Sequence, residues 1–257
     1  MSTRADVALV ARGLVRSRTL ARRLIETGAV LTDGPGGEVP VTRAAQPILP
    51  DQPLRVLESE TTRFVSRGGN KLDAALQAAG IDCTGLDALD VGMSTGGFTH
   101  CLLARGARQV LGIEVGHGQL DPVLASDPRV HCLEHTHIRD VRLADLRLPD
   151  GTAPAQGFAL IVVDLSFIAA SHLLDKLATL AAPGGRLTCL IKPQFELGPQ
   201  ARNRQGIVRA DADLDGLRRD VIQRAEDAGW QVNDWQRCAL VGGDGNQEYF
   251  LIATRRP

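Results

Sequence analysis

Residues 87–99 read Asp-Ala-Leu-Asp-Val-Gly-Met-Ser-Thr-Gly-Gly-Phe-Thr. The apolar run ending at Val91 predicts a short strand, and a helix is predicted to begin near Gly96. Gly92, Gly96 and Gly97 permit a tight turn and a close approach of a ligand to the backbone. This turn would place a helix N-terminus at the carboxyl end of a strand, where open α/β sheets bind ligands. An ordinary strand–turn–helix connection is the alternative.

Acidic residues around this turn indicate which ligand it would take. The dinucleotide fingerprint Gly-x-Gly-x-x-Gly is absent, because Ser94 stands at its second glycine position. Asp90 precedes the first glycine by two places, and Glu114 ends the next apolar run. We expect Asp90 to face a cationic methionine-type group and Glu114 to hold ribose hydroxyls. This pattern is typical of S-adenosylmethionine-dependent methyltransferases.

Length and composition are those of an ordinary globular protein. The chain has 257 residues, 44% of them hydrophobic and 23% charged, enough for a medium domain plus a small module. Its five cysteines are scattered, which predicts neither a disulfide framework nor a zinc site and fits a reducing cytosol. No signal core and no apolar run of roughly 18 residues is present. We therefore expect a cytoplasmic protein with no membrane segment and no metal.

Charge is distributed unevenly along the chain. The net charge is −1, but residues 1–71 carry 11 Lys and Arg against 7 Asp and Glu, whereas residues 72–257 carry 18 against 23. The excess of basic residues in the first part of the chain, followed by a mildly acidic remainder, predicts a polyanion-binding module at the start of the chain. A solvated basic face is the alternative that charge alone leaves open.

Hydrophobic periodicity divides the chain into two parts. The first part is predicted to hold helices at 4–12 and 18–27, the second capped by Ser17, strands at 29–32 and 54–58, and a loop at 33–37. Beyond a polar linker, strands alternate with helices, which predicts a parallel doubly wound sheet. Besides the strand ending at Val91, its strands are expected at 110–115, 130–133, 159–165 and 186–191, and its helices at 69–80, 97–105, 118–125, 171–181 and 213–228. Two final strands, 231–240 and 249–254, read as a hairpin that adds one antiparallel strand.

Lysine is rare in this chain. Only Lys71, Lys176 and Lys192 are found among 29 basic residues. Arginine stays protonated, whereas a buried lysine can lose its proton and act as a base. Lys192 ends a predicted strand and Lys71 precedes the first helix of the large domain, while Lys176 reads as a surface residue. A surface position is the alternative for all three.

Two carboxylates are predicted to converge on the same place. Asp164 follows the apolar run 160–163, so it would lie at the carboxyl edge of the sheet. Glu248 opens the last strand, whose antiparallel direction brings its start to that edge. Lys71, Asp164, Lys192 and Glu248 therefore form the candidate catalytic set. An isolated Asp at a strand end is more often a helix cap, and the convergence favours a functional role.

Six motifs together resemble the TlyA family of ribosomal RNA methyltransferases, also labelled haemolysins. They are 66–72 Ser-Arg-Gly-Gly-Asn-Lys-Leu, 90–99 Asp-Val-Gly-Met-Ser-Thr-Gly-Gly-Phe-Thr, 115–120 Val-Gly-His-Gly-Gln-Leu, 164–168 Asp-Leu-Ser-Phe-Ile, 192–196 Lys-Pro-Gln-Phe-Glu and 245–248 Gly-Asn-Gln-Glu. The catalytic part is similar to FtsJ-type 2′-O-methyltransferases, which use a Lys-Asp-Lys-Glu tetrad. Carried over, the tetrad is the set of four residues already reached from topology and lysine scarcity.

The front of the chain resembles a second known module. Arg12-Gly13-Leu14, Ser17-Arg18 and Leu24-Ile25 fit the alpha-L RNA-binding module of a ribosomal protein, pseudouridine synthases and a tyrosyl-tRNA synthetase. The resemblance implies an α+β RNA-binding module at 1–58, a linker at 59–68 and a Rossmann-like methyltransferase domain at 69–257. Arginines would contact phosphates, which supplies affinity but little sequence selection. The RNA-binding candidates are Arg4, Arg12, Arg18, Arg22, Arg23 and Arg67.

The resemblance implies transfer of a methyl group from S-adenosylmethionine to a ribose 2′-hydroxyl, of a cytidine in large-subunit ribosomal RNA. Lys192 would be the base, with Lys71 repelling its proton and orienting the hydroxyl, Asp164 holding Lys192 or the hydroxyl, and Glu248 hydrogen-bonding within the tetrad. Cofactor contacts are expected from Asp90, Gly92, Ser94, Thr95, Gly96, Gly97, Phe98, Thr99, Glu114 and Asp164.

Departures from the family and rival functions qualify this interpretation. Glu114 and His100 stand where the family commonly has Asp, and His137 stands where it has Asn, so no adenine contact is assigned at His137. A small-molecule methyltransferase, an RNA-binding assembly factor without activity, and a membrane-active haemolysin are the alternatives. The basic module argues against the first, the intact tetrad against the second, and the lack of a strongly amphipathic basic helix or spanning segment against the third. The sequence indicates no oligomeric state.

Overall fold

The computed structural model describes residues 2–15, 17–34, 36–57, 63–154 and 156–257. The contacts between residues divide it into two compact units, Met1–Arg63 and Phe64–Pro257. Residues 59–62 of the predicted linker, Pro35 of the predicted loop and the strand end predicted at Glu58 lie outside the described residues.

The first unit is a small α+β module. Its elements are β1 (Thr3–Arg4), α1 (Ala5–Ala11), α2 (Arg18–Glu26), β2 (Val30–Gly34), β3 (Gly37–Pro40), β4 (Pro47–Ile48) and β5 (Leu54–Val56). Strands β3, β2 and β5 form an antiparallel sheet, and β1 pairs with β4. Helix α2 begins where the sequence predicts it, because the Ser17 Oγ accepts a hydrogen bond from the Leu20 backbone N at 3.2 Å. Leu9, Leu24 and Ile25 form part of the buried core.

One prediction in this unit is wrong. The stretch 33–37 was expected to be a loop, but β2 continues to Gly34 and β3 begins at Gly37. The two strands pair Asp33 with Glu38 and Gly34 with Gly37. Glycine and aspartate lower strand propensity, and here the cross-strand pairing outweighs that local preference.

The second unit is built on a seven-stranded sheet in the order β11-β12-β10-β9-β6-β7-β8. Strands β8, β7, β6, β9 and β10 are parallel, and β12 is antiparallel to both β10 and β11. The predicted α/β class, with its final antiparallel strand, is confirmed. The strands are β6 (Asp87–Val91), β7 (Gln109–Ile113), β8 (Val130–Leu133), β9 (Phe158–Val163), β10 (Ala181–Ile191), β11 (Trp230–Arg237) and β12 (Tyr249–Arg255).

Helices cover both faces of this sheet, and each face has its own buried apolar cluster. They are α3 (Arg67–Ala78), α4 (Gly97–Ala104), α5 (Pro122–Ala125), α6 (Leu174–Ala178), α7 (Pro193–Glu196) and α8 (Leu214–Asp227). Among the described residues, none of the helices has the length and apolarity needed to cross a bilayer. Because the sheet is covered on both sides, ligand access is confined to its edges.

Two helices are shorter than predicted. The helix expected at 118–125 is reduced to α5, because Asp121 caps it and Pro122 occupies its first position. The helix expected at 171–181 is a 3₁₀ turn, Ala170–Leu173, followed by α6, and Ala181 already pairs with Phe158 in the sheet. Apolar periodicity does not separate the end of a buried helix from the start of a buried strand.

Candidate active site

The conformation of the glycine-rich turn between β6 and α4 is set by its packing against neighbouring residues of the same chain. Gly92 and Gly96 both have φ of 86°, a left-handed conformation that favours glycine. A β-carbon on Gly92 would lie 2.4 Å from the backbone oxygen of Asp164, and one on Gly96 would lie 2.4 Å from Leu124 Cδ1. From the sequence, these glycines are predicted to allow a ligand to approach the backbone closely. In the structure, neighbouring protein atoms fill the space beside them.

A cavity of about 540 Å³ opens at the carboxyl edge of β6, β7 and β9. Four of the predicted cofactor-binding residues line it: Gly92, Ser94, Glu114 and Asp164. Asp90, Thr95, Gly96, Gly97, Phe98 and Thr99 are not part of its lining. Phe98 instead packs into the core, with its ring 6.2 Å from that of Phe250. The turn therefore shapes the cavity, and only its first residues line it.

Sequence reasoning missed much of the cavity wall. The segments after β7, β8 and β9 contribute it, through Val115, Gly116, Gln119, Thr136, His137, Ile138, Leu165, Ser166, Phe167 and Ile168. Phe167 is 87% exposed and has φ of 70°, which is uncommon for a bulky residue. Two signals in the sequence point to these segments: they follow strand ends, and two of them contain the family motifs at 115–120 and 164–168.

The Glu114 carboxylate is held in a fixed orientation at the end of β7. Its Oε2 accepts a hydrogen bond from the Ser94 backbone N at 2.9 Å, and its Oε1 accepts one from the Gly116 N at 2.8 Å. Glu114 lines the cavity although its residue is only 9% exposed. Each carboxylate oxygen has a second acceptor position, so Glu114 can also receive hydrogen bonds from ligand hydroxyls.

Asp90 is a fully buried acid in β6, immediately before the cavity-lining residues Val91 and Gly92. Its Oδ2 accepts a hydrogen bond from the Thr99 Oγ1 at 2.7 Å, while its Oδ1 has no hydrogen-bond partner among the described residues. Burial, helped by the charges of Asp164 and Glu114, raises the pKa of Asp90 to about 7, although the hydrogen bond from Thr99 lowers it. A nearby cation would stabilise the carboxylate form.

Four predicted catalytic residues form two ion pairs. Lys71 Nζ lies 2.5 Å from Glu248 Oε2, and both residues are buried. Lys192 Nζ lies 2.7 Å from Asp164 Oδ1 and donates a hydrogen bond to the Ser166 Oγ at 3.2 Å. The sequence predicted that these residues converge and offered contact of Asp164 with Lys192 as one of two possibilities, but it named no partner for Glu248.

Sheet topology sets the relation between the two pairs. Asp164 follows β9, Lys192 follows β10, and Glu248 precedes β12, which are neighbouring strands in that order. Asp164 and Glu248 are therefore two strand spacings apart, about 10 Å. Asp164 also lines the cavity, so one ion pair borders it directly. Lys176 lies away from the site on α6.

Predicted RNA-binding arginines of the first unit gather around one acid. Asp6 is fully buried and pairs with Arg4 at 2.9 Å, Arg18 at 3.0 Å and Arg22 at 3.2 Å. The hydrogen bond from Arg4, with further ones from Arg18 and Arg22, holds the pKa of Asp6 well below its usual range. Because one carboxylate faces three half-exposed guanidinium groups, the cluster keeps an excess of positive charge.

The other three predicted arginines differ in their surroundings. Arg12 donates hydrogen bonds to the backbone oxygens of Leu49, Pro50 and Gln52 and so fixes the chain before β5. Arg23 is partly exposed on α2. Arg67 belongs to the second unit and donates to the Val241 backbone oxygen at 3.2 Å.

Comparisons with known proteins agree with this geometry. Residues 64–255 match the FtsJ-like methyltransferase family. The chain is 39% identical to the 16S/23S rRNA (cytidine-2′-O)-methyltransferase TlyA of Mycobacterium tuberculosis, covering 96% of this chain and 88% of that protein. It is 29% identical to the 23S rRNA (cytidine-2′-O)-methyltransferase TlyA of Campylobacter jejuni, covering 94% and 95%. A solved structure of a putative hemolysin from Streptococcus thermophilus superposes with a TM-score of 0.73 at 30% identity, covering 99% and 89%.

Proposed function

The chain belongs to the FtsJ-like methyltransferase family, and we propose that it methylates the 2′-oxygen of a cytidine ribose in large-subunit ribosomal RNA. The observation that carries the proposal is the convergence of two Lys–carboxylate pairs on one edge of the sheet: Lys71–Glu248, which is buried, and Lys192–Asp164, whose Asp164 lines the cavity. Two relatives that share nearly the whole chain are named for this reaction on ribosomal RNA. An enzyme with this substrate works beside ribosomes, which implies a cytoplasmic location.

We propose S-adenosylmethionine as the methyl donor, bound in the cavity between the turn after β6 and the segments after β7 and β9. When bound, it supplies a methyl group activated by a positively charged sulfur. Glu114 suits its ribose hydroxyls, because the carboxylate is fixed by two backbone N–H groups and still accepts hydrogen bonds. Asp90 does not line the cavity, so its unpartnered carboxylate oxygen would act on that positive charge through its electric field rather than by contact. Residues Thr95 to Thr99 would act by shaping the turn.

In the proposed mechanism, Lys192 is the general base. Its Nζ, in the neutral form, would accept the proton of the ribose 2′-hydroxyl while the 2′-oxygen takes the methyl group and the carbon–sulfur bond of the donor breaks, the electron pair staying on sulfur. Asp164, 2.7 Å from that nitrogen, stabilises the ammonium that results. The Lys71–Glu248 pair is electrically balanced, so its proposed role is to orient the hydroxyl rather than to repel the proton on Lys192.

The first unit is proposed to deliver the RNA. Its arginine cluster around Asp6, formed by Arg4, Arg18 and Arg22, offers exposed guanidinium groups whose arrangement is set before binding. Arg23 and Arg67 are further candidates for phosphate contact, and Arg12 is a candidate that also supports the local fold. Phosphate contacts of this kind give affinity with little sequence selection.

Mapping of 2′-O-methylation in ribosomal RNA tests the proposal. RNA from cells that lack the gene should lose one or more cytidine 2′-O-methyl groups, and the purified enzyme with S-adenosylmethionine should restore them. Transfer to small molecules but not to RNA would support the small-molecule alternative. RNA binding without transfer would identify an assembly factor, and leakage of liposomes would support the haemolysin alternative.

A further inference from the structure

The second unit contains arginines of two kinds. Several are neutralised by a carboxylate: Arg105 by Asp73, Arg108 by Asp87, Arg129 by Asp127, Arg142 by Asp145 and Arg209 by Asp211. Four others surround the Cys238–Glu248 hairpin and form no ion pair within the described part of the chain: Arg67, Arg202, Arg204 and Arg237. We refer to these four residues as the arginine rim.

Two members of the rim are attached to the hairpin by neutral acceptors. Arg67 donates a hydrogen bond to the Val241 backbone oxygen at 3.2 Å, and Arg237 donates one to the Gln247 Oε1 at 2.7 Å. Neither acceptor carries a charge, so both guanidinium groups retain their full positive charge. Gln247 is adjacent to Glu248, which places Arg237 close to the Lys71–Glu248 pair.

Arg204 stands at the tip of a rigid turn that runs from Asn203 to Gly206. The Asn203 Oδ1 accepts hydrogen bonds from the backbone N of Gln205 at 2.9 Å and of Ile207 at 3.0 Å. The backbone of Asn203 also exchanges hydrogen bonds with Gly206 and Ile207. Because the turn is held by its own hydrogen bonds, its backbone loses little entropy when Arg204 binds a ligand.

Asn246 fastens this turn to the catalytic hairpin. It is 2% exposed, its Oδ1 accepts a hydrogen bond from the Val208 backbone N at 2.8 Å, and its Nδ2 donates to the Gly206 backbone oxygen at 3.1 Å. Asn246 precedes Glu248 by two residues. Arg202 and Arg204 are therefore fixed near the Lys71–Glu248 pair rather than carried on an independent loop.

We propose that the arginine rim binds the phosphates of the RNA on either side of the nucleotide that is methylated. This inference rests on the proposed RNA substrate. The cavity lies at the ends of β6, β7 and β9, whereas the rim surrounds the connection between β11 and β12, with Lys192 at the end of β10 between them. An RNA strand lying along the rim would bring one ribose to Lys192. Guanidinium groups bind phosphate oxygens through two parallel N–H donors.

The test compares two double variants in RNA binding. Arg202→Ala with Arg204→Ala removes two charges from the rim, and Arg186→Ala with Arg224→Ala removes two exposed charges elsewhere that form no ion pair in the described ranges. Dissociation constants for an unmodified ribosomal RNA transcript are measured from 50 to 200 mM salt. If the rim pair makes two phosphate contacts, the salt-induced loss of affinity should be about tenfold smaller in its variant than in wild type. The control should follow wild type.

The outcome separates this inference from the proposed function. Wild-type affinity and wild-type salt dependence in the Arg202→Ala, Arg204→Ala variant would overturn the proposal that the arginine rim binds RNA phosphates. The proposed methyl transfer to RNA would be unaffected by that result. Conversely, wild-type enzyme that transfers no methyl group to RNA would overturn the function. Binding of S-adenosylmethionine, measured by calorimetry, should be equal in all three proteins, because none of the substituted residues lines the cavity.

Discussion

At the scale of single residues, Lys192 carries the sharpest prediction. Lys192→Arg retains a positive charge beside Asp164, 2.7 Å away in the wild type, but removes any accessible neutral form. The variant should bind S-adenosylmethionine and RNA normally and lose about 10²–10⁴-fold in single-turnover methyl transfer, the usual contribution of a positioned base. Rates are measured at saturating RNA across pH.

Lys176→Arg is the matched control, because it makes the same change on α6, away from the site. It should have wild-type rates at every pH. If Lys192→Arg were equally active, the positive charge alone would be what matters at that position. The mechanism would then be reduced to orientation of the hydroxyl by Asp164 and Lys71.

Asp90 gives a prediction about stability. Its pKa rises from an ordinary 3.8 to about 7 in the folded protein. Well below pH 3.8 Asp90 is protonated in both states, and as the pH rises towards 7 the unfolded chain releases the proton first. The folded state without ligand should therefore lose about 4 kcal/mol over this interval. The free energy of unfolding, measured in urea, should depend less on pH in Asp90→Asn than in wild type. Asp175→Asn, an exposed change on α6, should show the pH dependence of wild type. If the free energy of unfolding of Asp90→Asn changed with pH as it does in wild type, Asp90 would not be the buried acid with the raised pKa.

At the scale of elements, the turn between β6 and α4 depends on its glycines. Gly96→Val would strain the backbone at φ 86° and drive a side chain into Leu124 and Leu120. We expect loss of S-adenosylmethionine binding by calorimetry, because the turn also positions Ser94 and, through it, Glu114. Gly151→Val is the control: Gly151 has φ of 81° but no atom within 4 Å of the added carbon. Normal cofactor affinity in Gly96→Val would exclude this turn from the binding site.

Most elements follow from the sequence because apolar runs bounded by polar or glycine residues encode strands directly. Val130–Leu133 was predicted with the bounds that the structure has, and β9 and β12 differ by one or two residues. The start of α5 was missed although the Asp121-Pro122 pair is a local start signal. The end of α6 was missed because Ala181 already pairs with β9. Local pattern does not carry such tertiary information.

The site was predictable to a similar depth. Strand order implied that Asp164, Lys192 and Glu248 share an edge, and lysine scarcity singled out Lys71. Which lysine pairs with which carboxylate depends on how α3 packs, and this packing is part of the tertiary structure. The exposed, left-handed Phe167 in the cavity wall likewise has no signature in composition or periodicity.

At the scale of the whole molecule, positive charge is concentrated where RNA binding is proposed. The first 71 residues carry the excess of Lys and Arg, and the rest of the chain is acidic. Within the acidic second unit, the arginine rim keeps its charge, because Arg67 and Arg237 donate to neutral groups and Arg202 and Arg204 form no ion pair among the described residues. A protein with a net charge of −1 can thus present two basic surfaces to a polyanion.

The arginine cluster around Asp6 in the first unit is predicted to determine how RNA affinity depends on salt. Arg18→Gln with Arg22→Gln removes two charges but leaves N–H donors for the buried Asp6, which Arg18 and Arg22 contact at 3.0 and 3.2 Å. RNA affinity should fall, and the slope of log affinity against log salt should decrease by about two, one for each phosphate contact. Arg43→Gln with Arg55→Gln removes the same charge from other exposed positions of that unit and should change the slope less. Cofactor affinity should stay at the wild-type value in both, since the cavity belongs to the second unit. If both double variants reduced the slope equally, overall charge rather than the cluster around Asp6 would hold the RNA, and an unchanged slope in both would remove RNA delivery from this unit.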